Sequence, residues 1–142
     1  MHSTILLPAA VLVAWSLVML MWTVVTRMPA LQKSGINLAK APPGGRGEAL
    51  NGVLPDSVMW KSHNYSHLME QPTLFYAVVA ILALAGAGEG LNTQLAWGYV
   101  ILRVIHSVWQ ATVNKIPVRF TLFFLSTLCL VVLAINAIRA TL

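Results

Sequence analysis

His63-Asn64-Tyr65-Ser66-His67-Leu68-Met69-Glu70 is the stretch that decides how often this chain crosses a bilayer. The apolar run that follows, 73–87, is shorter than the roughly 20 residues a spanning helix needs. It reaches that length only inside a helix that begins near Asp56 or Ser57 and carries the polar octet with it. Pro55 followed by Asp56-Ser57 supplies capping side chains at that place. Ionisable groups within a spanning segment are costly, so they face a bundle interior, a subunit interface or a water-filled cavity. The octet therefore predicts a long second helix over 57–87 with a polar site along it.

Composition supports this. Of 142 residues, 58% are hydrophobic and only 9% charged, against about 25% in a soluble domain. One core cannot hide so much apolar surface, so the excess faces lipid. Further apolar segments at 5–26, 91–113 and 118–138 complete four crossings. The first has no charged leader, is too long for a signal-peptide core and carries Pro8 near its start, which predicts a retained helix. The Gly/Pro-rich segment 28–55 is a loop, and the short connections at 86–90 and 114–117 favour antiparallel neighbours. The expected fold is a single all-α domain over 1–142, an integral membrane four-helix bundle running up-down-up-down.

The formal net charge of +5 reads as a topology signal. Arg27, Lys33, Lys40 and Arg46 in the first loop, with Lys115 and Arg119 at the third connection, place both on the cytoplasmic side and the termini outside. Arg139 is a minor dissent. No aromatic residues interleave with clustered lysines, so nucleic acid is not an expected partner. The single Cys129 rules out an internal disulfide framework and reads as a small packing residue. The lack of an evident targeting leader fits a bacterial inner membrane.

Trp60, His63, His67 and Glu70 follow at intervals of three, four and three and share one helical face, bordered by Asn64 and Gln71. Arg103, His106 and Gln110 form a second stripe on the third helix, with Asn114 one turn on. Arg119 starts the fourth helix beside them. The set reads either as interhelical hydrogen bonds, including an Arg103–Glu70 pair, or as a ligand pocket. A metal reading on His63, His67, Glu70 and His106 is weaker. The zinc motif with this histidine spacing has a glutamate after the first histidine, where this chain has Asn64, and bundle di-iron sites need more carboxylates.

Over Asn64 to Tyr76, Arg103-Val104-Ile105-His106-Ser107-Val108 and Pro117-Val118-Arg119 the chain resembles the MAPEG family, the membrane-associated proteins of eicosanoid and glutathione metabolism. The resemblance implies a homotrimer with an active site between subunits, where glutathione attacks a lipophilic electrophile through its thiolate. It implies that Glu70 holds the glutathione amino group, that Arg119 lies near the thiol, and that His106 and Arg103 shape the floor. Arg27 would contact a glutathione carboxylate, and His63, His67 and Gln110 would occupy further binding positions.

This chain departs from that pattern at several places. His63 and Ser66 stand where glutathione-using members have arginines, and His67 where they have asparagine. Gln110, Phe120 and Phe123 replace hydroxyl-bearing side chains. The expected function is a glutathione-dependent transferase or peroxidase for lipophilic electrophiles. The alternatives are a non-catalytic lipid-binding trimer or an accessory subunit of a larger membrane complex, and a metal-dependent membrane enzyme.

Overall fold

A computed structural model describes residues 3–142. It is all-helical over those residues. Helix α1 runs over Leu6–Lys33, α2 over Asp56–Leu68, α3 over Gln71–Leu84, α4 over Leu91–Thr112 and α5 over Ile116–Thr141. Short 3-10 turns at Leu38–Lys40 and Gly47–Leu50 punctuate the long connection.

Three elements differ from expectation. Helix α1 does not stop at 26 but continues through Pro29, which costs it only one internal N–H. The stop is Gly35, whose φ of +73° is the left-handed conformation that closes a helix, with its N–H on the Gln32 carbonyl at 3.2 Å. The loop expected from residue 28 therefore begins only at Ser34. At about 1.5 Å per residue, α1 is longer than the bilayer core of about 30 Å, so its last turns stand in the polar zone.

The second crossing, expected as one helix over 57–87, is two helices. Pro72 has no N–H to offer the Leu68 carbonyl, so the ladder breaks at Met69–Glu70, where Glu70 takes φ −88° and ψ −98°. Tightened bonds from Met69 N–H to Ser66 O (3.0 Å) and Glu70 N–H to His67 O (3.3 Å) close α2. The last helix starts two residues earlier and ends three later than the expected 118–138.

Contacts at the two ends fix the up-down-up-down order. At one end Ile5 N–H donates to Gly88 O (3.1 Å), and the Glu89 carboxylate accepts from Thr4 N–H (2.9 Å) and Thr4 Oγ1 (2.6 Å). Those bonds hold the Glu89 carboxyl below the usual glutamate range. A Cβ on Gly88 would stand 2.8 Å from Ile5 Cγ2, so only glycine admits the chain start here. At the other end Lys61 Nζ donates to Ala111 O (3.1 Å), and Arg27 donates to Ser62 Oγ.

Helix α4 packs against α5, α2 and α1, while α3 lies against α5 and α1. The core joins Leu12, Met19, Phe75, Tyr99 and Leu133, with the Phe75 and Tyr99 rings stacked at 4.3 Å. The outward residues are equally apolar: Leu7, Val25, Leu74 and Ile138 are each about 60% exposed. Helix α1, the α2–α3 pair and α5 are each long and apolar enough to cross a membrane. Helix α4 reverses the soluble pattern, with Arg103, His106, Ser107 and Gln110 buried inward and Ile101 and Ile105 facing out. The chain is an integral membrane four-helix bundle.

Candidate functional site

The break in the second crossing, the buried face of α4 and the first turns of α5 line an open cavity of about 380 Å³. That lies within the usual ligand-pocket range of roughly 300 to 1,000 Å³. His63, His67 and Glu70 line it from the second crossing, His106 and Gln110 from α4, and Ile116, Arg119, Phe120 and Phe123 from α5. Six of the residues singled out in the sequence therefore converge. Trp60, expected on the same face, is not among the lining residues.

The groups are held in different ways. Arg119 Nη1 donates to Asn114 Oδ1 at 2.7 Å, and Asn114 reaches it from a left-handed turn with φ of +54°. His63 Nε2 meets Asn51 Oδ1 of the long loop at 2.9 Å. His67 Nδ1 lies 3.2 Å from Glu70 Oε2, and the His67 and His106 rings are 5.0 Å apart. Gln110 Oε1 is buried without a hydrogen-bond partner, an unsatisfied acceptor on a residue of the cavity wall. Among the described residues no three His, Cys, Asp or Glu side chains are grouped to hold one metal ion.

Arg103 lies behind this wall and is fully buried. The Arg103–Glu70 pair expected from sequence does not form: among the described residues, Glu70's side-chain partner is His67. The guanidinium instead donates to His67 O (3.3 Å) and His67 Nε2 (3.4 Å) and lies 5.8 Å from the Phe123 ring. It caps the carbonyl end of α2, whose partial negative charge favours a cation. The break at Pro72 thus creates the acceptor end that balances Arg103.

Arg27 is not brought to this cavity within the subunit. Its guanidinium bonds Ser62 Oγ, and the Gly47 backbone closes over it, with a Cβ position only 3.1 Å from Nη1.

Reading the sequence missed a node directly behind the site. Ser107 Oγ accepts from Asn64 Nδ2 (2.5 Å) and from Trp15 Nε1 (2.9 Å), joining α2, α1 and α4 at a fully buried point. Its signal was available: Ser107 lies four residues past Arg103 on the polar face of α4. Trp15 spends its indole N–H here.

The fold and cavity define a helical membrane protein with a mixed polar and aromatic site that opens at the side of the bundle. Residues 5–139 match the model of the MAPEG family, nearly the whole chain, and the protein belongs to that family. No curated protein and no solved structure matches it.

Proposed function

We propose that this protein is a membrane-embedded, glutathione-dependent transferase or peroxidase acting on lipophilic electrophiles, assembled as a homotrimer. Family membership supports the class. The single observation that favours catalysis is that Glu70 and Arg119 line the same cavity as the phenyl rings of Phe120 and Phe123. A carboxylate, a guanidinium and an apolar wall are the complement that a zwitterionic thiol peptide and an oily co-substrate require. Gln110 Oε1, buried and unpartnered, adds an acceptor suited to a peptide N–H.

When bound, glutathione supplies the nucleophilic thiol. Glu70 accepts hydrogen bonds from its ammonium group. Arg119 favours the thiolate over the thiol, because a neighbouring guanidinium stabilises the anion. Phe120, Phe123 and Ile116 give the electrophile an apolar wall, which Phe120 and Ile116, each about 65% exposed on the single subunit, extend outward. His63, already bonded to Asn51, offers a weaker carboxylate partner than an arginine, and affinity should be correspondingly modest.

The test uses purified protein in detergent or lipid discs. Glutathione binding by calorimetry, together with conjugation of an activated aryl halide above the uncatalysed rate, is the expected result. Absence of both rejects the proposal. One feature favours a non-catalytic lipid-binding member instead: Phe120 and Phe123 bring no hydroxyl to the cavity. Stoichiometric co-purification with a membrane partner, without turnover, would select that reading.

A further inference from the structure

We infer that His67 is a positioning residue, whose function is to hold Glu70 as an oriented acceptor toward the cavity. The sequence marks His67 as a ligand-contacting group, but both of its ring nitrogens are already engaged by the protein. Arg103 Nη1 approaches Nε2 at 3.4 Å, and an arginine can only donate, so Nε2 must be the lone-pair nitrogen. The ring proton then resides on Nδ1, which lies 3.2 Å from Glu70 Oε2. A donor at that place needs an acceptor, and the carboxylate is one. The chain runs Arg103 to His67 to Glu70, each donating to the next.

Four further observations fit this role. The guanidinium grips His67 twice, at the ring nitrogen and at its own backbone carbonyl (3.3 Å), which fixes the ring and the helix end together. The ring is packed between aromatic groups, 5.0 Å from His106 and 5.5 Å from Phe123. The His67 side chain is 24% exposed, whereas that of Glu70 is 70% exposed. The carboxylate thus retains Oε1 and open space for a ligand. Glu70 itself sits in the break between α2 and α3, so no helical ladder sets its direction, and His67 supplies that restraint.

The inference rests on the reading of Glu70 as the acceptor for a ligand ammonium. It is tested with glutathione and with the analogue in which hydrogen replaces the γ-glutamyl amino group. The wild-type protein is expected to prefer glutathione by about tenfold, the scale of one charge-assisted hydrogen bond. His67→Gln places an amide at the Nε2 position but offers Glu70 no donor, and the preference should fall to about twofold or less. His67→Asn restores an N–H where Nδ1 stood, and the preference should return to about fivefold or more. A purely packing role predicts no such difference between Asn and Gln. Retention of the full preference by His67→Gln overturns the proposal.

A second readout needs neither ligand nor variant folding. Nitrogen-15 shifts of labelled histidine in the wild-type protein are expected to show His67 protonated on Nδ1, the less common tautomer in water. Protonation on Nε2 alone overturns the proposal. If the wild-type protein ignores glutathione while His67 carries its proton on Nδ1, the substrate reading fails and the Arg103–His67–Glu70 chain stands.

Discussion

Arg119 makes the sharpest demand on a single side chain. Its guanidinium lines the cavity and is steered by Asn114, so Arg119→Ala should lower kcat by about 100-fold, the scale for losing one preorganised charge donor. KM for glutathione should change much less, and steady-state kinetics separate the two. The same scale shows what was legible in the site. His63, His67, Glu70, His106, Gln110 and Arg119 were readable because ionisable groups at helical spacing are conspicuous in an apolar chain. Arg103 was readable as a position but not in its pairing, because it grips the His67 ring together with a backbone carbonyl, which carries no residue signature. Ser107 was overlooked since a lone serine is ordinary within a membrane helix. Outside the membrane, Glu89 gives a pH dependence. Its folded-state pKa lies below the ordinary value of about 4.3, so the clasp with Thr4 is fully present above that value. It is lost as pH falls through the folded-state value, and amide exchange at Thr4 and Ile5 should quicken there.

Between helices, Ser107 and Pro72 matter most. Ser107→Ala strands the Asn64 amide and the Trp15 indole N–H at a three-helix junction. At about 1–3 kcal/mol for a buried donor left unpaired, the loss should appear as a clear drop in the thermal midpoint in detergent. Pro72→Ala returns an N–H to the Leu68 carbonyl and lets α2 and α3 fuse. Glu70 would then swing with a continuous helix and leave His67, so glutathione affinity should fall while helicity by circular dichroism holds or rises slightly. The break was hidden because an apolar run marks a crossing but not the carbonyl that Pro72 leaves unpaired within it. The end of α1 at Gly35 was hidden for a related reason. Charged residues mark where a helix leaves the hydrocarbon, not where its hydrogen bonds end.

Across the whole molecule, hydrophobicity established the membrane class, while the polar octet and the short connections gave the number of crossings and their order. What it left open was which way the polar stripe on α4 faces, and that depends on partners supplied by α2, α1 and α5. Three crossings are apolar enough to enter a bilayer on their own, whereas α4 carries Arg103 near its middle. An arginine at the centre of an isolated inserting helix costs about 2.5–3.5 kcal/mol. Its counterweight, the frayed carbonyl end before Glu70, is synthesised earlier in the chain. Biogenesis should therefore be ordered: α4 fused alone to a glycosylation reporter should integrate poorly, and the same segment preceded by residues 56–90 should integrate well. A proline that shapes the cavity would also act as the receiver that draws a reluctant segment into the lipid.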